Sequence, residues 1–224
     1  MFPWVAPVTL FALVLAAADL PKEEAWKNKP VSEWTEADAK MVMTDSPWAK
    51  TVTATLDKTP PGNRIRILGL DVPVPVHRAA NHPAEKPPAP PKPPALMLRW
   101  ETARPIREAE RKAGDTSAPA TDEHYYALAV YGIPPGTIAN ASKQIAAALK
   151  NQAVLRRYDK KDLKPARVEI TLREDGPVVV YWFAKSDDIT WRDHSVEFDA
   201  QVAQWKFTLS FSLDDMIFEG NLEL

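Results

Sequence analysis

The sequence contains no cysteine. Disulfide bonds, thiolate metal sites and lipid attachment through an N-terminal cysteine are therefore excluded, and the fold depends on its core alone. Glycine is scarce, with seven residues against 22 prolines in 224, so other residues must make most turns. The sequence has no glycine-framed serine, Walker loop, dinucleotide fingerprint, kinase motif set or HExxH helix. This pattern favours a non-enzymatic protein without a cofactor.

A strong charge of either sign is also missing. The 28 basic and 30 acidic side chains give a formal net charge of −2. A nucleic-acid-binding domain is expected to be basic. The composition therefore argues against a nucleic-acid partner.

The first 18 residues are typical of a signal peptide, although no Lys or Arg precedes their apolar core. The stretch from Val5 to Ala18 is mostly apolar and ends in an A-x-A-like site. It is shorter than the ~20 apolar residues that span a bilayer, and no later segment is long enough to do so. We expect cleavage after Ala18, no membrane span afterwards, and a periplasmic or secreted location. A retained anchor or a buried N-terminal helix is the alternative.

Proline marks a boundary inside the chain. Nine of the 22 prolines fall between Pro73 and Pro94, and such a run favours an extended polyproline spacer. We expect a linker or insertion over residues 73–95, and a main domain over 96–224. Residues 19–72, too small to fold alone, are expected to form a helix–strand segment that packs on the main domain.

Three helices are predicted from their caps and spacing. Thr35 with Asp38 three residues later forms a capping-box signature. Thr102 precedes a second helix as its predicted N-cap. Apolar residues at helical spacing predict a third helix over residues 138–150.

From residue 167 onward the chain alternates as strands. Val168–Leu172 and Val178–Phe183 flank an Asp175-Gly176 turn, and two further alternating runs follow over 196–202 and 205–213. Residues 216–224 are expected to form a last strand. The fold class predicted is α+β, with a mostly antiparallel sheet, two or three helices packed on it, and the proline-rich insertion.

Two short segments resemble a family of secreted bacterial proteins. They are Ser46-Pro47-Trp48-Ala49-Lys50 and Arg99-Trp100-Glu101-Thr102-Ala103-Arg104-Pro105, and the chain's ending over 216–224 is similar as well. The resemblance implies export and a shared fold. It brings no activity with it.

Trp48 and Trp100 are candidate binding residues, since exposed aromatic rings can stack on sugars or anchor a partner. The alternative places both in the core, where most tryptophans are largely buried. Arg99, Arg104 and Arg107 lie near one strand-to-helix junction and are candidates for holding a carboxylate or phosphate. Pairing with Glu101, Glu108 and Glu110 is the alternative.

A polar segment over residues 186–195 is the best local candidate for catalysis or metal binding. Asp187, Asp188 and Asp193 are candidate calcium ligands, because calcium takes several oxygen ligands. Ser186, His194 and Ser195 complete a set from which a hydrolase could be built. A plain polar loop is the alternative, since Asp and Ser are ordinary turn residues.

Charge is also distributed unevenly along the chain. Residues 143–167 are basic and 187–223 are mainly acidic, which is compatible with a docking face or with cross-strand pairing inside one sheet. The function predicted is a non-enzymatic envelope module that binds another envelope protein or a polymer. The alternative is a periplasmic hydrolase or carbohydrate-binding enzyme that uses acidic residues near 187–199.

Overall fold

The computed structural model describes residues 26–27, 29–57, 91–186 and 189–224, and the backbone of 64–67 and 70–73. The helices are α1 (Glu36–Thr44), α2 (Arg104–Ala113) and α3 (Lys143–Asn151). The strands are β1 (Ala49–Thr53), β2 (Thr55–Leu56), β3 (Arg64–Ile67), β4 (Leu70–Pro73), β5 (Ala95–Trp100), β6 (Tyr125–Tyr131), β7 (Ala153–Arg157), β8 (Arg167–Thr171), β9 (Val178–Ala184), β10 (Ser195–Val202), β11 (Trp205–Ser212), β12 (Ile217–Phe218) and β13 (Asn221–Leu222).

Two antiparallel sheets face each other across the main core. The first has the strand order β1-β5-β6-β9-β8 and the second β2-β11-β10-β7. Aromatic rings meet between the sheets, with Tyr181 and Phe198 at 5.1 Å and Trp100 and Phe211 at 5.7 Å between ring centroids. The remaining strands form two small hairpins, β3-β4 and β12-β13.

The sequence pattern explains which face of each sheet is wet. β10 alternates strictly, with Val196, Phe198, Ala200 and Val202 buried. β9 differs because Val178–Phe183 is buried throughout. Its second face is covered as well, in a smaller apolar cluster that contains Trp182.

The chain before the proline-rich stretch is joined to the chain after it. β1 pairs antiparallel with β5, from Ala49 opposite Arg99 to Thr53 opposite Ala95. α1 packs on α2. The Trp48 indole N–H donates to the carbonyl of Glu223, at 2.9 Å.

The α+β class with a mostly antiparallel arrangement is confirmed, and so is the capping box of α1. The Asp38 N–H donates to Thr35 Oγ1 at 3.1 Å, and the Thr35 N–H donates to Asp38 Oδ2 at 2.9 Å. The strands predicted over 178–183 and 196–202 are also present. These elements depend on local signals, which a single sequence carries.

Three local predictions are wrong. Thr102 does not cap α2, because its hydroxyl accepts from the Ala127 N–H at 3.1 Å and the N-cap is Ala103. α3 begins at Lys143 rather than 138, where Ser142 provides the cap. Residues 216–224 form the β12-β13 hairpin instead of one strand.

The sequence pattern also missed two features. β7 was not predicted, and the division of the strands into two sheets was not foreseen. The leader 1–18 and most of the 73–95 stretch lie outside the described residues. Within the part of the chain that the structure describes, no helix is long and apolar enough to cross a membrane.

Candidate functional site

The three candidate arginines lie in different environments. Arg99 is buried, at 4% exposure, and points to the two glutamates of its own junction. Arg104 pairs with Glu219 at 2.7 Å in an exposed ion pair. Arg107 lines a surface groove. The structure therefore does not bring them together as one anion site.

Arg99 belongs to a buried polar cluster, which contains Glu101, Glu110 and Tyr131. Its Nε and Nη2 donate to the two Glu101 carboxylate oxygens at 2.8 and 3.2 Å. Nη2 also reaches Glu110 Oε1 at 2.9 Å and the Tyr131 hydroxyl at 2.7 Å. Pairing with glutamates, the alternative for this arginine, is what the structure contains.

Burial and mutual charge set the protonation of the cluster. Burial raises the pKa of Glu110 to about 9, the neighbouring Glu101 adds to that rise, and Arg99 opposes it. Although burial alone would lower the pKa of Arg99, the Glu101 charge raises it. One cation, one carboxylate and one neutral acid then balance each other, which is how a buried charge is tolerated. This arrangement is closed and holds α2 to the sheet.

Trp48 and Trp100 both lie in the core, at 1% and 0% exposure. Trp48 contacts Trp26 and Phe218, with ring centroids at 5.8 and 6.2 Å. Trp100 stacks edge-on to Tyr126 and Phe211. Neither indole offers a face to a ligand in this arrangement.

A candidate site that contains one of the predicted binding residues, Arg107, is a surface groove of about 760 Å³ on the outer face of the first sheet. We call it the Trp182 groove. It is lined by Thr102, Arg107, residues 120–124, Arg167, Glu169, Trp182 and Lys185.

Strand register builds the floor of the groove. Ala127, Trp182 and Arg167 lie opposite one another on β6, β9 and β8. Trp182 is buried, and its Nε1 has no hydrogen-bond partner among the described residues. Trp182 is therefore a packed base beneath the groove, and its Nε1 is a buried donor without a described acceptor.

Arg167 is held over this floor by aromatic rings and carboxylates. Its guanidinium lies 4.3 Å from the Trp182 ring centroid and 4.8 Å from that of Tyr125. Nε pairs with Glu169 at 3.2 Å, and Nη2 lies 3.6 Å from Asp122. The planar guanidinium of an arginine can stack on an aromatic ring and pair with carboxylates at the same time, which a lysine ammonium cannot do as well.

Two other cations of the groove are less engaged. Arg107 donates to the Thr121 hydroxyl, and Lys185 lies over the Tyr126 ring at 5.1 Å. Neither has a carboxylate within 4.0 Å among the residues that the structure describes. Both remain able to meet an acceptor on a partner.

The candidate calcium ligands are only partly described. Asp187 and Asp188 lie outside the described residues. Asp193 is buried, with Oδ1 2.6 Å from Lys160 Nζ and Oδ2 accepting from the Thr190 N–H at 2.8 Å. Although burial opposes it, hydrogen bonding from Lys160 keeps the pKa of Asp193 low. Both Asp193 oxygens are already used inside the protein.

The other acidic and polar candidates do not converge. His194 Nδ1 lies 3.5 Å from Asp214 at the surface. Glu197 and Asp199 lie on the wet face of the second sheet, where Arg156 reaches both, at 3.0 and 3.1 Å. Cross-strand pairing is thus present for these residues. No group of three or more His, Asp or Glu placed to hold a metal occurs in the described part.

Two exposed aromatic residues were not singled out from the sequence. Tyr158 is 84% exposed and Trp191 is 58% exposed. Their turns follow β7 and precede β10. No sequence pattern marked them, because an aromatic residue in a turn gives no periodicity to read.

Comparison with protein-family models gives no match, and neither the curated proteins nor the solved structures include a similar chain. The likeness of the 46–50 and 99–105 segments to secreted bacterial proteins stays a prediction. The function is therefore argued from the site alone.

Proposed function

We propose that this protein is a non-enzymatic binding module of the bacterial envelope. It binds another envelope protein or a polymer through an exposed part of its first sheet, the Trp182 groove. The proposal assigns it a periplasmic or secreted location, reached through the signal peptide over residues 1–18.

The observation that carries the proposal is the combination found in the groove. An open groove of about 760 Å³ lies over the packed Trp182 ring, on which the Arg167 guanidinium is stacked, and Arg107 and Lys185 line it without carboxylate partners among the described residues. Arginine is enriched among the residues that dominate interface binding energy, and a polar rim surrounds them. The groove has that composition.

The arrangement of the acidic residues supports binding over hydrolysis. A glycosidase needs two carboxyl groups facing each other across a cleft. Glu197 and Asp199 instead lie on a flat exposed face and are neutralised by Arg156, and Asp193 is tied to Lys160. These contacts leave the hydrolase alternative without a described pair of free carboxylates.

Affinity capture from the native envelope after mild cross-linking tests the proposal. Wild-type protein is compared with Arg107→Glu/Lys185→Glu and with a matched double reversal on other exposed lysines, Lys143→Glu/Lys206→Glu. We expect a specific partner that the groove variant loses and the control retains. Equal capture by both variants, or no specific capture by the folded wild type, would count against the groove.

A deletion of residues 83–94 serves as a third variant. Loss of capture by this deletion would assign a role to the proline-rich stretch in reaching the partner. Unchanged capture would show that the proline-rich stretch is not needed for binding through the groove.

A further inference from the structure

Trp191 stands apart from the other tryptophans. Trp26, Trp34, Trp48, Trp100, Trp182 and Trp205 are each 3% exposed or less, whereas Trp191 is 58% exposed. Burying an indole is strongly favourable in folding. The exposure of Trp191 therefore suggests that its side chain has a role other than stabilising the core.

Trp191 and Tyr158 lie on two turns that are joined to each other. We call residues 158–162 and 190–194 the aromatic tip. Lys160 of the first turn pairs with Asp193 of the second at 2.6 Å, and the Asp193 side chain is fully buried. The Asp193 carboxylate also accepts from the Thr190 N–H.

The first turn is closed by backbone contacts as well. Leu155 and Leu163 exchange two backbone hydrogen bonds of 2.9 and 2.8 Å across it. Arg157 Nη2 donates to the Lys161 carbonyl at 2.7 Å. The turn that carries Tyr158 is therefore ordered by its own contacts before any partner binds.

Each aromatic residue has a strained neighbour. Asp159, next to Tyr158, has φ 52°, and His194, three residues after Trp191, has φ 54° and ψ −42°. Non-glycine residues rarely occupy positive φ, and such strain persists where surrounding contacts enforce it, often at functional sites. The shape of the tip is thus imposed by the fold.

One face of the Trp191 indole is supported by a cation. The Arg192 guanidinium lies 5.4 Å from the ring centroid, within the range of a cation–π contact. The high exposure of Trp191 leaves the ring available for stacking. A supported ring with open surface is suited to a flat apolar ligand face.

The surroundings of the two rings favour a sugar over a membrane or a protein. Within the tip itself, Lys160, Lys161 and Arg192 balance Asp159, Asp162 and Asp193, so its own residues add no excess positive charge to attract anionic lipid. The other large hydrophobic residues exposed in the described chain, Leu172 and Ile217, belong to other elements. Without a wide apolar patch, the rings match a ligand that offers small C–H faces rimmed by hydroxyl groups.

We propose that the aromatic tip binds a polysaccharide by stacking sugar rings on Trp191 and Tyr158, with the charged side chains of the tip accepting and donating hydrogen bonds to hydroxyl groups. This inference goes beyond the proposed function, because it assigns a polysaccharide to a second surface, apart from the residues that line the Trp182 groove. The tip and the Trp182 groove both lie near the end of β9, since Lys185 lines the groove while Ala184 and Ser186 line a small pocket together with residues 161–164.

Binding to a panel of glycans tests the inference. The mature protein is incubated with insoluble peptidoglycan, chitin and cellulose, and titrated with the soluble oligosaccharides of the last two while tryptophan emission is followed. Because the other described tryptophans are buried, an emission change reports chiefly on Trp191. We expect at least one glycan to be bound, and Trp191→Ala to weaken that binding by about tenfold or more.

Tyr158→Ala is expected to weaken binding as well, while Leu172→Ala, an exposed apolar residue elsewhere, leaves it unchanged. Near-UV circular dichroism confirms that each variant keeps the core of the wild type. Failure of the wild type to bind any glycan, or unchanged binding by Trp191→Ala, overturns the inference. Trp191-dependent binding to lipid vesicles or to a captured protein, without glycan binding, also overturns it but leaves the binding-module proposal standing.

Discussion

Arg99 and Glu101 form a bidentate ion pair inside the protein, with Nε to Oε1 at 2.8 Å and Nη2 to Oε2 at 3.2 Å. The two residues are two positions apart, so they point to the same side of the chain as β5 ends. The Tyr131 hydroxyl donates to Glu101 Oε1 at 2.8 Å and completes the set. These contacts are all made within the fold, which gives the pair a structural role.

Glu101 and Glu110 should respond differently to the same substitution. Glu101→Gln removes the carboxylate that pairs bidentately with Arg99 and leaves only the buried Glu110, 2.9 Å away, to ionise in its place, so we expect a loss of about 3 kcal/mol in unfolding free energy. Glu110→Gln replaces an acid that the folded protein holds neutral, and the variant no longer has to take up a proton on folding, so we expect a gain in unfolding free energy at pH 7. Urea unfolding of both variants at pH 7 measures the difference. Equal losses would contradict the assigned protonation.

The pH dependence of stability follows from Glu110. Its pKa rises from 4.5 in the unfolded chain to about 9 in the folded protein, so the folded state binds the proton more tightly. The contribution of Glu110 to stability is therefore fully present below about pH 4.5 and is lost as pH rises through about 9. We expect Glu110→Gln to flatten the decline in unfolding free energy between about pH 5 and 9. A parallel decline in wild type and variant would show that another group causes it.

Gly176 is required by its turn between β8 and β9. Its φ is 129°, and a Cβ built there would lie 2.1 Å from the Ile133 carbonyl oxygen. Gly176→Ala should therefore lower the unfolding free energy by about 3 kcal/mol, because the clash with the Ile133 carbonyl oxygen adds to the strain of the positive φ. Gly114→Ala is the matched control, because Gly114 has φ 65° and a Cβ added to it would meet no atom within 4 Å; we expect it to cost about 1 kcal/mol. Thermal denaturation of the two variants gives the comparison.

The start of α2 is capped by the end of the chain. The Arg104 N–H donates to Glu223 Oε2 at 3.2 Å, and the N-cap Ala103 offers no side-chain acceptor. Glu223→Ala should cost about 1 kcal/mol, as the loss of a helix cap does. Glu219→Ala, which removes only the exposed ion pair with Arg104, should cost less than about 0.5 kcal/mol. If chemical denaturation ranks the two variants the other way, the cap is unimportant.

Features that depend on residues close together in the sequence could be predicted, whereas features that depend on residues far apart in the sequence could not. The α1 cap and the alternation of β10 are local, and both were predicted. The cap of α2 was not, because Glu223 lies 119 residues from Arg104 and Thr102 is used by a neighbouring strand instead. The burial of Arg99 could not be predicted from residue spacing. It depends on α2 packing beside the end of β5, which places Glu110 next to Arg99.

The candidate site shows the same limit. Arg107 was predicted to bind, and it lines the groove, but its neighbours Trp182 and Lys185 come from a strand far along the chain. The register of β6, β9 and β8 brings them together, and register depends on tertiary pairing. Trp48 and Trp100 were predicted to be candidate binding residues, with burial in the core as the alternative, and both are buried. The sequence could not decide between the two, because the core that contains them is assembled from both sheets.

Site-specific photo-cross-linking in the native envelope tests the central claim most directly. A photoreactive amino acid is placed at Glu123, an exposed residue of the Trp182 groove, and in a second strain at Thr208, on the wet face of the other sheet. We predict a defined adduct from Glu123 that is absent from Thr208. No adduct from Glu123, or an equal adduct from both positions, would contradict the groove as the binding surface.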